Sequence, residues 1–372
     1  MLPALKKDKP RLADVLASCF SAVQQKPNRL GLPGVNKAIV LLVDGLGAAA
    51  VRARSGHART IAGAMSATSV IDSGFPTTTA AALASLTTGV GPGTHGLVGY
   101  SVLDAAHDRV VNQLSGWDDR LDPLTWQKAP TLFEQAERAG IDAVVIAPAR
   151  YAESGFTHAV LRGARYLPAA SIGERLERAA AWLREPGAGI AYVYVPELDS
   201  IGHAQGWESA AWTERLESLD AALTALVGVL GKRDGLVVTA DHGVLDVPHD
   251  AHVIFGNESM LTTGVRHIAG EPRCLQLHVE AESCESLLAA WTASESSRSW
   301  VVSRAEAIEA GWFGDVSAVV EPRIGDILVA ARKNIAYYAS ETDPGRGMIG
   351  QHGSWSPAEV QVPLVRFGAF AP

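Results

Sequence analysis

Near-unbroken apolar runs punctuate the first two thirds of the chain, at 38–43, 143–147, 190–195 and 236–240. A strand buried on both faces loses the polar alternation of a half-exposed one, so these runs predict central strands of a parallel sheet. Helical patterns lie between them, and the alternation from residue 37 to 240 predicts a βαβ rhythm: a three-layer α/β/α sandwich with a mostly parallel central sheet. Thr131 and Glu134 have the spacing of a capping box and Gly140 follows as a stop, which predicts one short helix. Trp212, Leu216, Leu219, Leu223, Leu226 and Leu230 step by four and three, predicting a helix of about six turns whose apolar stripe is plain core packing.

After Asp246 the pattern loosens into strand-like pieces at 274–279 and 326–331 around a helical stretch at 286–291. We read 246–345 as a smaller inserted α+β cap on a core formed by 1–245 and 346–372. The closing segment, GQHGSWSPAEVQVPLVRFG, ends in an apolar run suited to rejoining the main sheet.

Composition narrows the classes of function. Apolar residues make up 47% and charged ones 19% of the 372, the balance of a globular protein. Thirty-two basic against 40 acidic side chains leave a formal charge of −8, and the one basic run, KKDK at 6–9, is short, so a nucleic-acid polymer is not expected as a partner. No run approaches the roughly 20 apolar residues of a membrane span, and the first residues lack the apolar centre of a signal peptide. The expectation is a cytoplasmic protein with no membrane partner. Cys19, Cys274 and Cys284 fit neither a disulfide framework nor a zinc ribbon, and are expected to be reduced. No heptad pattern speaks to oligomeric state.

The chemistry gathers where strands end. IVLLVDG runs into Asp44, YVYVPELD into Asp199 and LVVTADHG into Asp241, and in parallel sheets sites lie beyond the carboxyl ends of strands. Taken singly, each Asp is as well explained as a helix N-cap. Histidines change the weighing. Asp199 and His203 stand four apart, on one face of a helix or turn, and His242 follows Asp241 directly with Gly243 permitting a turn. Carboxylate and imidazole ligands without thiolates suit Zn²⁺, and also Mn²⁺ or Fe²⁺, in an open catalytic site. FPTTTAAALASLTTG places three threonines before an alanine-rich helix, whose N-terminus attracts anions, although a Thr N-cap alone would account for it. His249 and His252, in PHDAH, read as solvated surface.

VDG at 43–45, FPTTT at 75–79 with THG at 94–96, DSIGH at 199–203, ADHG at 240–243 and GQHG at 350–353 occur in the order shown by one family. In them the chain resembles the type I phosphodiesterase and nucleotide pyrophosphatase family, within the alkaline-phosphatase superfamily. The resemblance implies an alkaline-phosphatase-like fold and two divalent metal ions, one held by Asp199, His203 and His352, the other by Asp44, Asp241, His242 and the oxygen of Thr79. Of these ligands, His352 comes from the resemblance alone. An ungapped match places the nucleophile at Thr79, with Thr78 one register away. Ala80 stands where nucleotide-cleaving members often carry an aromatic residue, and Tyr100 where they carry a phosphate-contacting Asn, so both are candidate pocket positions and nucleotide preference does not carry over.

The activity so implied is metal-dependent hydrolysis of a phosphodiester or pyrophosphate bond in a small substrate through a phosphothreonine. A phosphomonoesterase or phosphonate hydrolase on the same core is the nearest alternative, and a catalytically silent metal-binding scaffold the alternative of another class. A sulfatase would need a C/S-x-P-x-R segment, which is absent.

Overall fold

The computed structural model describes residues 2–5, 8–66 and 68–372; Lys6 and Lys7 of the basic run lie outside them. Twelve strands build two six-stranded sheets. In chain order they are β1 (Lys37–Val43), β2 (Ser101–Asp104), β3 (Arg109–Asn112), β4 (Asp142–Ala147), β5 (Arg165–Pro168), β6 (Gly189–Val195), β7 (Asp234–Thr239), β8 (Val265–Glu271), β9 (Cys274–Val279), β10 (Ser299–Ser303), β11 (Ile327–Ala331) and β12 (Val365–Gly368).

The main sheet runs β12-β7-β1-β6-β4-β5, with every pairing parallel except that of β12 on β7. All seven residues of β1 are buried, as expected of a strand covered by helices on both faces. The closing segment does rejoin this sheet, as the edge strand β12. Helices cover it: α1 (Ala13–Val23), α2 (Thr79–Thr88), α3 (Leu132–Arg138), α4 (Ile172–Leu183), α5 (Glu197–Gln205) and α6 (Ala210–Val227). The Thr131–Glu134 capping box opens α3, and Gly140 behind it has φ +67°. The stripe of α6 buries Trp212, Leu216, Leu219, Leu223 and Leu226. That helix has 18 residues, about five turns rather than six, and is capped at Gly228; Leu230 lies beyond it, packed half-buried on the same core.

The second sheet, β10-β11-β9-β8-β2-β3, is antiparallel throughout. The helix Cys284–Glu295 packs on it through Leu287 and Trp291. Two of its strands, β2 and β3, come from inside the stretch whose rhythm predicts the main sheet, so the two sheets interleave along the chain. Ser101 of β2 pairs with Gly270 of β8 across that join.

Between the sheets Phe75 stacks on Trp355 with centroids 4.7 Å apart and meets Trp312 edge-on at 4.7 Å. This aromatic cluster anchors the turn that precedes α2. Arg273 and Glu359, both fully buried, form a two-pronged ion pair with both bonds at 2.8 Å, joining the second sheet to the segment after His352. The three cysteines are unpaired, Cys19 and Cys274 being buried. Among the described residues no helix is long and apolar enough to cross a membrane.

Candidate active site

Strand register brings the aspartates together. Val43 at the end of β1 lies opposite Val195 at the end of β6, and Leu42 opposite Thr239 at the end of β7. Asp44 and Asp241 therefore leave the sheet side by side, and Asp199 follows in the first turn of α5. The turn after Asp44 needs glycine twice over: Gly45 has φ +73°, and a Cβ there would lie 3.1 Å from the Asp199 backbone and side chain. Its N–H donates to Asp241 Oδ1 at 3.2 Å, as does the His242 N–H at 3.0 Å. The Tyr194 hydroxyl, rising from β6, donates to Asp44 Oδ2.

On α5 the four-residue spacing sets His203 Nε2 3.2 Å from Asp199 Oδ2. His203 Nδ1–H donates to the Gly350 carbonyl at 2.7 Å, and His352 Nδ1–H to the Thr77 carbonyl at 2.7 Å. The Thr77 carbonyl fixes a tautomer of His352 that leaves Nε2 free as a ligand atom, whereas His203 Nε2 is held by Asp199 and would turn to a cation only in exchange for that contact. The His352 ring stacks on His242 at 3.6 Å and lies 5.2 Å from His203. Thr77 ties the two loops together, its hydroxyl donating to the Ser354 carbonyl at 2.7 Å and accepting from Gly353 N–H at 3.0 Å.

Thr79 is the first residue of α2, and no side chain caps that helix. Its Oγ1 lies 3.2 Å from His242 Nε2, whereas the neighbouring Thr78 hydroxyl is buried beside Glu271. Two groups of potential ligands each close within 4.8 Å: Asp44 with Asp241 and His242, and Asp199 with His242 and His352. The first contains three of the four residues of one expected set, Thr79 being the fourth. In the second, His242 stands in the place expected for His203, which adjoins the group through Asp199.

The donor set fits cations on the evidence of its own unsatisfied atoms. Asp44 Oδ1, Asp199 Oδ1, Asp241 Oδ2 and His242 Nδ1 are all buried without a hydrogen-bond partner. Burial, then the charges of Asp241 and Asp199, push the Asp44 carboxyl well above the usual range. Burial works against charge on His203 too, yet Asp199 outweighs it and lifts the imidazole to about 9. Burial, followed by repulsion from His242, holds His352 far below its ordinary value. Crowded, desolvated carboxylates of this kind are stabilised by cations.

The two pocket candidates separate. Tyr100 is 40% exposed and lines a cleft of about 240 Å³ with Thr78, Thr79, His203, Glu271 and His352. Ala80 is fully buried in the main core, as is every residue of α2, and it does not line that cleft. His249 is exposed and His252 half-buried against Tyr338, away from the ligand cluster.

Glu271, at the end of β8, has no signal in the sequence. Its Oε2 accepts from the Tyr100 N–H at 3.2 Å, and its Oε1 is buried without a partner. Gly353, with φ +134°, leaves room for it, since a Cβ there would lie 2.4 Å from Glu271 Cγ. Burial pushes its carboxyl up to about 8, against the opposing pull of the Tyr100 N–H and the Thr78 hydroxyl. Between its ordinary value and about 8 the folded protein therefore holds a proton that the unfolded chain has lost, and stability falls as pH rises through that window. In metal-chelated protein, urea unfolding from about pH 5 to about pH 8 should show wild type losing stability relative to Glu271→Gln by at most roughly 1.4 kcal/mol per pH unit. Parallel curves would mean that Glu271 is ionised in the fold.

The family model for type I phosphodiesterase/nucleotide pyrophosphatase matches residues 38–355. The chain belongs to that family. An uncharacterised pyrophosphatase/phosphodiesterase of Schizosaccharomyces pombe is 25% identical over 181 residues, 46% of this chain and 36% of the relative. A phosphopentomutase of Anaeromyxobacter is 31% identical over 128 residues, 34% of this chain and 31% of that one. The chain thus spans about a third of the length of the curated relatives it matches. Among solved structures, an inactive murine ectonucleotide pyrophosphatase/phosphodiesterase 5 in complex with AMP superposes with TM-score 0.71 at 17% identity, covering 90% of this chain and 88% of that one. Phosphonoacetate hydrolase of Sinorhizobium meliloti, in complex with phosphonoformate, gives TM-score 0.70 at 19% identity, covering 90% and 91%. The fold is that of the family: an alkaline-phosphatase-like α/β sandwich with a mostly parallel central sheet.

Proposed function

We propose that this family member hydrolyses a phosphodiester or pyrophosphate bond in a small substrate, with Thr79 as nucleophile and a phosphothreonine as intermediate. The observation that carries the reading is the placement of Thr79 Oγ1 at an uncapped, buried helix N-terminus, 3.2 Å from His242 Nε2 and at the mouth of the Tyr100–Glu271 cleft. We assign one cation to Asp44, Asp241, His242 and Thr79, and a second to Asp199, His203 and His352, with His242 adjoining both. Divalent ions there, Zn²⁺ or else Mn²⁺ or Fe²⁺, would offset the buried carboxylates, favour the ionised threonine and stabilise negative charge developing on phosphate oxygens.

The chain's own groups do the positioning. The free N–H groups and dipole of α2 attract phosphoryl oxygens toward Thr79. Thr79 gives its hydroxyl proton to solvent, its Oγ1 forms a bond to phosphorus as the bond to the leaving oxygen breaks, and the departing oxyanion takes a proton from solvent. Water then bonds to phosphorus, the phosphothreonine ester breaks, and Thr79 regains its proton. Tyr194, Thr77 and the Gly350 carbonyl hold Asp44, His352 and His203 in orientation throughout. We take 246–345 as the cap of this reading, contributing Glu271 and Pro272 to the cleft wall. The unpaired thiols suit a reducing compartment, and we place the enzyme in the cytoplasm on that ground.

The test is hydrolysis of bis(4-nitrophenyl) phosphate beside 4-nitrophenyl phosphate, by protein loaded with Zn²⁺ or Mn²⁺ and by a chelated control. Faster, metal-dependent cleavage of the diester is the expected result. Preference for the monoester would move the activity to a phosphatase, and equal rates in the chelated control would remove the cations from the reading.

A further inference from the structure

A second cavity, of about 120 Å³, opens on Thr79 and shares only Thr79 and Leu114 with the first cleft. It lies beyond the ends of β4 and β6, roofed by the segment that carries the short helix Gly155–Val160. Leu83, Phe156 and Leu161 make much of its wall apolar, and no Lys, Arg, Asp, Glu or His lines it. Four tyrosines also line it, beside Ser154 and Thr157, whose hydroxyls bond each other at 3.1 Å, and the tyrosine hydroxyls are not equivalent. Tyr166 donates to the Pro148 carbonyl at 2.8 Å, Tyr194 donates to Asp44, and Tyr151 accepts from Arg150 at 3.0 Å. Tyr192 is 1% exposed and its hydroxyl has no partner.

A buried phenol without a partner is disfavoured, so a retained one points to a group that arrives from outside. The absence of charged walls excludes an ionic group. Size sets a further limit, since an apolar cavity of about 150 Å³ holds one benzene ring.

Resting on the hydrolase reading above, we propose that this cavity receives one uncharged substituent of the phosphate substrate: a single six-membered ring, or a chain of about four to six carbons, bearing one polar atom that hydrogen-bonds to Tyr192. A purine, with two fused rings and its sugar, exceeds the space, so the group taken here is not a purine nucleoside. With a cleft and a cavity meeting at Thr79, each organic arm of a diester has its own place.

Binding of non-ester probes separates this inference from the hydrolase reading. By calorimetry on the metal-loaded protein, phenylphosphonate should bind about tenfold or more tightly than methylphosphonate, and 1-naphthylphosphonate should lose that advantage. Leu161→Trp, which fills the cavity, should bring phenylphosphonate down to the methylphosphonate level while leaving methylphosphonate unchanged. Tyr192→Phe keeps the shape and should abolish only the extra affinity of 3-hydroxyphenylphosphonate or 4-hydroxyphenylphosphonate over phenylphosphonate. Metal-dependent binding of methylphosphonate with no gain from the ring, or a gain that survives Leu161→Trp, overturns the cavity assignment alone. Failure of methylphosphonate to bind at all removes the phosphate site, and the inference with it.

Discussion

Thr79→Ala should lower metal-dependent hydrolysis of an aryl phosphate diester by at least about a thousandfold, because it removes the side-chain oxygen proposed to bond to phosphorus in the first step. Both ion sites keep their carboxylates and imidazoles in this variant, so cation binding measured by calorimetry should persist. The neighbour is the control. Thr78→Ala deletes a buried hydroxyl beside Glu271, which is assigned no bond to phosphorus, and should keep activity within about tenfold of wild type. Reversed outcomes would shift the nucleophile by one residue, and full activity in both variants would remove threonine from the chemistry. Single-turnover rates with a trapped 32P-labelled protein would report the covalent step directly.

Arg273→Met should cost about 3–5 kcal/mol of unfolding free energy, measured by urea denaturation. The guanidinium is fully buried and holds both carboxylate oxygens of Glu359, also fully buried, while donating to the carbonyls of Lys333 and Ile335. Removing it leaves the buried Glu359 carboxyl with the Ser354 and Ser356 N–H groups as its remaining donors. The double variant Arg273→Met with Glu359→Gln should recover part of the loss, since replacing both members of a buried pair costs less than orphaning one. Activity should fall in the single variant as well. Glu359 carries the carbonyl that receives the Gly243 N–H at 2.8 Å, one residue from His242. A single variant as stable as wild type would show that water reaches the pair.

Much of this architecture was legible because its central strands are covered on both faces, where burial alone dictates composition. β1, β4, β6 and β7 announce themselves as apolar runs, and the aspartates after β1, β6 and β7 mark the sheet edge to which the proposed chemistry is assigned. The hairpin β2–β3 did not show, since its four-residue strands are half-buried and join the second sheet through a distant pairing with Gly270. Local pattern carries no trace of such a partner. The end of α6 was misplaced for a related reason: Leu230 keeps the helical spacing by packing on the same core after the helix has stopped.

In the proposed site, spacing pairs Asp199 with His203 and Asp241 with His242, which the fold brings close together, whereas His352 needs the resemblance because it arrives from a remote loop. Glu271 could not be found, being one acid in an ordinary strand whose isolation arises only when β8 is laid against Thr78 and Gly353. Tyr192 and Tyr194 left a faint mark. They alternate in AYVYV, two phenols on one face of a strand otherwise wholly apolar, which polar tips occupy at a cost unless something meets them.

The interleaving of the two sheets constrains how this scaffold can be altered. A segment inserted whole between neighbouring strands can be exchanged for another without disturbing its host, and 246–345 has the outward form of such a module. Its sheet is nonetheless completed by β2–β3, which the host contributes from more than a hundred residues upstream. Trimming the module would leave that hairpin with a bare edge ready to pair with another molecule, so deletion should yield aggregates in place of a minimal enzyme. A transplant to or from a relative would have to carry the hairpin with it, as two cuts in the gene rather than one.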